Sequence, residues 1–169
     1  MWNDTDTPLA YLISFRTYGT WLHGDQRGST NRFRNGYGEP HLSANKGWHR
    51  DNRKRLKTHP FFLGPRERRL VNEAVRETCR IRKWHLQALN VRTNHVHTVV
   101  TANSKPGLVL NAFKANATRE LRQKQLWSHW FSPWADKGSE IRLWNERSVA
   151  TAIAYVVYGQ GEDLPDFDE

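Results

Sequence analysis

Cysteine is nearly missing. Cys79 stands alone in 169 residues, which excludes an intramolecular disulfide and suits a reducing compartment, the cytoplasm being the expected one. No run of about 18 apolar residues occurs, so no membrane-spanning helix is expected. The opening MWNDTDTPLA lacks the basic-then-apolar order of a secretory signal. Apolar residues are sparse at 37%, and acids are outnumbered by Lys and Arg, 17 to 26. Internal repeats are also absent, and nothing marks a second domain. Residues 1–169 are therefore read as one domain, long enough to bury a core.

Large side chains make up for the low apolar fraction. The chain holds eight Trp, seven Phe and five Tyr, each of which buries much area. The net charge of +9 is unevenly placed: residues 46–83 carry thirteen Lys/Arg against four acids, an excess equal to that of the whole chain. The tail from Glu162 to Glu169 carries five acids and no base. A localised cationic surface among aromatics is the footprint of a phosphate-backbone binder. On charge alone, a solubilising face or a membrane-surface contact is the plainer reading.

Residues 8–22, PLAYLISFRTYGTWL, read as a strand entering a turn. Residues 23–64 form a long basic loop, a length usually reserved for function. Pro65 suits the first turn of a helix over about 66–83, whose apolar positions are Leu70, Ala74, Val75, Cys79 (or Thr78) and Ile81. Residues 84–91 and 95–102 read as two strands joined by Arg92-Thr93-Asn94, an antiparallel hairpin. A second helix opens at Ser104-Lys105-Pro106-Gly107 and runs to about Lys124, with Leu108, Ala112, Ala117 and Leu121 on or near one face. The EIRLW segment after an Asp136–Ser139 turn is a fourth strand. Asn145 is the expected N-cap of a last helix over about 146–159, carrying Val149, Ile153 and Val156 and ending at Gly159 and Gly161. With that helix set aside, the order βαββαβ is the ferredoxin-like split βαβ pattern, an α+β fold with an antiparallel sheet.

His95 and His97 are two apart on a predicted strand, so both project from one face while Val96 points into the core. Two imidazoles so placed can share a divalent metal and leave positions for a further ligand and a phosphate oxygen. By spacing alone, two polar surface residues are the plainer reading. Tyr155 lies about 60° from the Val149 direction on the last helix, at the margin of its apolar stripe. Its hydroxyl can reach the sheet face while its ring packs, or it is an ordinary boundary tyrosine, and Tyr158 competes for any role. A tyrosine attacking a phosphodiester keeps the bond energy in a phosphotyrosine link. Phosphate contact is expected of Arg53, Lys54, Arg55, Lys57, Arg66 and Arg69, against the alternative of a solvated charge run. Trp127, Trp130, Trp134 and Trp144 either stack unpaired bases or fill the core.

Asn94-His95-Val96-His97 followed by an apolar strand resembles the HUH motif of single-tyrosine transposases. SFRTYGTWLHGD (Ser14 to Asp25), WADKGSEIRLW (Trp134 to Trp144) and AIAYVVYGQG (Ala152 to Gly161) resemble, in the same order, the REP-associated tyrosine transposases. The resemblance implies a ferredoxin-like domain with a Mg²⁺ or Mn²⁺ site. It implies cleavage of single-stranded DNA beside a hairpin through a covalent 5′-phosphotyrosine. It makes His95 and His97 metal ligands and Tyr155 the nucleophile, and it brings His23 into the family-like segment as a candidate DNA contact. In the family a glutamine one turn after the tyrosine completes the metal site. Here Gly159 takes that place and Gln160 follows one residue late. An ideal helix carries Gln160 roughly 140° away from Tyr155, so it reaches the metal only where the helix unwinds. A hairpin-DNA-binding descendant that no longer cuts is the alternative function, and an RNA-binding ferredoxin-like domain a third. Relatives include dimers and single-subunit forms, so a homodimer stays open.

Overall fold

The computed structural model describes residues 7–20, 56–161 and Leu164. The basic loop as far as Arg55 and most of the acidic tail lie outside the described residues, and so do His23, Arg53, Lys54 and Arg55.

Seven elements follow in the expected order: β1 (Ala10–Arg16), α1 (Pro65–Arg82), β2 (His85–Val91), β3 (His95–Thr101), α2 (Pro106–Gln123), β4 (Ser139–Leu143) and α3 (Glu146–Tyr158). The strands form one antiparallel sheet in the order β2-β3-β1-β4, so β1 and β3 are central and β3 splits the β1–β2 pair. This is the α+β, split βαβ arrangement.

Period-2 alternation decides what each face of the sheet covers. Tyr11, Ile13, Phe15, Val96 and Val100 point to α1 and α2 and make the larger core with Val71, Val75, Val109 and Phe113. Ala10, Leu12, Val99 and Ala88 point the other way, against Ala152 and Val156 of α3. The two histidines of β3 share the parity of Val99, so they look out under α3.

Helix stripes differ in detail from the expected ones. In α1 the buried set is Arg68, Val71, Ala74, Val75, Thr78 and Cys79, with Leu70 only partly buried. Ile81 is 61% exposed: ten residues after Val71, it lies about 80° off that stripe. Leu108 is likewise exposed, because α2 packs through Val109, Leu110 and Phe113, a step of about 100° further round. Among the tryptophans, Trp127 and Trp134 are core, whereas Trp130 and Trp144 are exposed. Phe15 meets the Trp134 ring edge-on at 4.9 Å. Cys79 is buried, and burial pushes its thiol up to about 11, which leaves it inert.

The cap at Asn145 forms as expected: its Oδ1 accepts from the Ser148 amide at 2.9 Å. Helix α3 therefore starts at a defined residue, and its C-terminal end falls over the β3 histidines.

Candidate functional site

Sheet register brings the first partners. His97 lies opposite Ser14 of β1 and His95 opposite Arg16. The Ser14 hydroxyl is 2.5 Å from His97 Nδ1, and Asn94 Oδ1 is 2.6 Å from His95 Nδ1. Both rings thus spend Nδ1 on a neighbouring oxygen, the usual way of orienting a ligating imidazole. With Nδ1 turned to Asn94, His95 presents Nε2 towards the end of α3. The two rings stand 4.8 Å apart, centroid to centroid.

Helix α3 supplies the other side. The Tyr155 ring meets His97 at 5.3 Å, and Tyr155 remains 40% exposed. Tyr158, at 83% exposure, stands well out in solvent. Asn90 of β2 donates to the Val156 carbonyl at 2.9 Å, tying the helix end to the sheet. The last helical residue is Tyr158, and the Gly159 amide caps onto the Tyr155 carbonyl at 2.9 Å. A Cβ on Gly159 would come within 2.7 Å of that same carbonyl oxygen, so glycine alone permits this turn.

The turn returns Gln160 to the site. Its Nε2 donates to the Tyr155 carbonyl at 2.9 Å, and its Oε1 lies 3.2 Å from His95 Nε2. The bond to a backbone carbonyl settles which end of the amide faces the histidines. The 140° offset of an ideal helix is undone by unwinding at Gly159.

His97 is held neutral. Burial lowers its pKa to about 3, with His95, Arg16 and Arg92 adding in the same direction and Gln160 opposing. A neutral imidazole is the metal-ligating form.

The donors fit a divalent ion. His95 Nε2 and Gln160 Oε1 lie 3.2 Å apart, and with His97 they bring two imidazoles and an amide oxygen together as a donor set that a divalent ion could share. The carbonyl end of α3, the negative end of its dipole, points the same way. The set holds no carboxylate or thiolate, and among the described residues no group of three or more His, Cys, Asp or Glu forms a metal cluster. A site of this kind leaves coordination positions and charge for phosphate oxygens.

Of the cationic candidates, Arg66 and Arg69 are exposed on the first turn of α1. That turn adjoins the β2–β3 link, where the Leu63 amide meets the Thr93 carbonyl at 2.6 Å. Lys57 is elsewhere: its ammonium lies 4.5 Å over the Trp130 ring. The structure brings together His95, His97, Tyr155 and Gln160 and leaves these cations outside that cluster. Ser14, Asn90 and Asn94 were not singled out as site residues in the sequence. Only the positions of Ser14 and Asn94 inside family-like segments hinted at them.

Residues 55–137 match the family model described as transposase, IS200 like. The chain is similar to the IS200-like transposases. The IS200-like segment spans both histidines and ends short of Tyr155 and Gln160. Among solved structures, a REP-associated tyrosine transposase bound to a REP hairpin is similar over 92% of this chain and 68% of that one, at 10% identity and a TM-score of 0.49. At that level the likeness says nothing about chemistry. No curated protein matches the chain.

Proposed function

We propose that this chain is a metal-dependent single-stranded DNA endonuclease and strand transferase that cuts beside hairpins through a 5′-phosphotyrosine. The observation that carries the reading is the meeting of Tyr155, His95, His97 and Gln160 at one place, from two elements far apart in sequence. The IS200-like segment and the cationic surplus support DNA as the substrate.

In this reading the Tyr155 hydroxyl attacks the phosphorus of a phosphodiester. An O–P bond to the 5′-phosphate forms, the P–O3′ bond breaks, and the other strand end leaves as a 3′-hydroxyl. The reverse attack by a 3′-hydroxyl rejoins DNA and frees the phenol. His95, His97 and Gln160 would hold a Mg²⁺ or Mn²⁺ ion, which would supply polarisation of the phosphate oxygens. Ser14 and Asn94 hold the imidazoles in their ligating orientation, and Asn90 holds the α3 end in place. One chain supplies every member of the cluster, so cleavage is proposed to occur within a single subunit. The alternative is a hairpin-DNA binder that does not cut; the position of Gln160 beside His95 supports the cutting reading.

The test is incubation with Mn²⁺ and a hairpin-bearing single strand. A covalent protein–DNA adduct is expected, and it is lost in Tyr155→Phe. An adduct persisting in that variant reassigns the nucleophile, with Tyr158 next. Tight, salt-sensitive hairpin binding without any adduct restores the non-cutting alternative.

A further inference from the structure

A second cluster of rings lies beyond the C-terminal end of β1. Trp130 is 80% exposed there, in a domain that buries Trp127 and Trp134 nearby. Its ring meets Phe131 at 5.5 Å, and Phe131 in turn packs on Tyr18 at 5.1 Å and on His129 at 5.2 Å with planes 18° apart. Lys57 completes the group. Its ammonium lies over both Trp130 and Phe131, and its backbone amide is fixed by the Tyr18 hydroxyl at 2.7 Å. Arg122 adds a second cation, donating to the Phe131 carbonyl at 3.2 Å. Beside the rings opens a cleft of roughly 230 Å³ lined by His59, Phe61, Trp127 and His129. That is below the usual ~300–1,000 Å³ of a small-molecule pocket, and Thr58, Pro60, Leu126 and Ser128 share its walls with those rings.

Leaving so large an indole in water costs burial that the fold collects elsewhere, and a solvated ring flanked by fixed cations has one well-known use. Every nucleobase offers a π-face to such a ring while the phosphates on either side meet the cations. One stretch of chain, β1 and the turn after it, links the patch to the candidate active site. Ser14 touches His97, Arg16 lies opposite His95, and Tyr18, two residues on, packs against Phe131. Four residues of extended backbone separate Ser14 from Tyr18, about 13 Å at most. An extended single strand of a few nucleotides covers that span.

We propose that Trp130, with Lys57 and Phe131, is a stacking site for an unpaired base of the single-stranded DNA that flanks the cleavage point. The inference rests on the function proposed above and adds the place where the strand leaves the active site. Phosphate charge complements Lys57 and Arg122, which selects nucleic acid over a neutral apolar partner.

The test uses the full chain in EDTA and fluorescence anisotropy with two labelled probes: a blunt hairpin and the same hairpin carrying an oligo-dT extension on each side. Trp130→Ala weakens binding of the extended probe by roughly tenfold or more, as loss of a stacked base does, and leaves the blunt probe unchanged. Trp130→Phe restores most of the loss. Lys57→Gln lowers the salt dependence for the extended probe by about one unit of log–log slope. Unchanged binding of the extended probe in Trp130→Ala overturns this inference alone. A wild-type chain that binds neither probe overturns the proposed function together with it. A change in oligomer mass in Trp130→Ala, with DNA affinity intact, assigns the patch to self-association and also overturns it.

Discussion

Gln160 Oε1 lies 3.2 Å from His95 Nε2, although 65 residues separate them and a continued helix would point the glutamine elsewhere. The contact depends on α3 stopping at Tyr158 and on Gly159 turning tightly enough to hand the next residue back to the sheet.

Gly159→Ala is therefore expected to disrupt the site. The added methyl meets the Tyr155 carbonyl at 2.7 Å, and relief of that clash moves both Tyr155 and Gln160. Mn²⁺ affinity measured by calorimetry should fall by roughly 10–100-fold, the range seen when ligand support is lost. The thermal midpoint should hardly move, because the turn is at the surface. Unchanged Mn²⁺ affinity would remove Gln160 from the ligand set.

Ser14→Ala and Asn94→Ala each delete the oxygen that orients one imidazole. Each should weaken metal binding by roughly 10-fold or more while the fold survives, and the double variant should lose less than the two effects added if both histidines serve one ion. Full additivity would point to two independent sites.

Asn90→Ala cuts the tie from β2 to the Val156 carbonyl. About 1 kcal/mol of stability should be lost on chemical denaturation. Adduct formation should fall as well, since the end of α3 that carries Tyr155 loses its anchor. A loss of stability with an unaltered cleavage rate would show that α3 is positioned by its apolar contacts alone.

The pH dependence follows from His97, whose pKa drops to about 3 in the fold from 6.5 outside it. Between those values the unfolded chain binds a proton that the native chain does not. The contribution is therefore intact above about pH 6.5, and stability of the metal-free protein declines as pH falls towards 3. The slope from this group is about 1.4 kcal/mol per pH unit at most. His97→Gln should flatten that decline in a series of denaturation curves. An equally steep decline in the variant would mean that other groups cause it.

Much of the frame was legible because it is local. Strand alternation put His95 and His97 on one face, and the Pro65 and Asn145 signals started two helices within a residue of where they begin. Helical faces were read less well. Ile81 and Leu108 are apolar, yet the packed stripes pass beside them, since a stripe is chosen by what the helix meets on the sheet. The four tryptophans between residues 127 and 144 look alike in sequence and divide into two buried and two exposed.

The sequence by itself determined the order of the elements, the shared face of the two histidines and the cationic excess, because each depends on neighbouring residues or on simple counts. The tertiary structure decided the rest of the site. Pairing of β1 with β3 set Ser14 against His97 across 83 positions, and α3 laid Tyr155 over the same ring. The turn at Gly159 returned Gln160 to His95. Strand register and helix docking are long-range choices made by core packing on the far side of the sheet, so no local pattern around Ser14 could announce its contact with His97, and Gln160 was a candidate only through the family resemblance and a turn at Gly159.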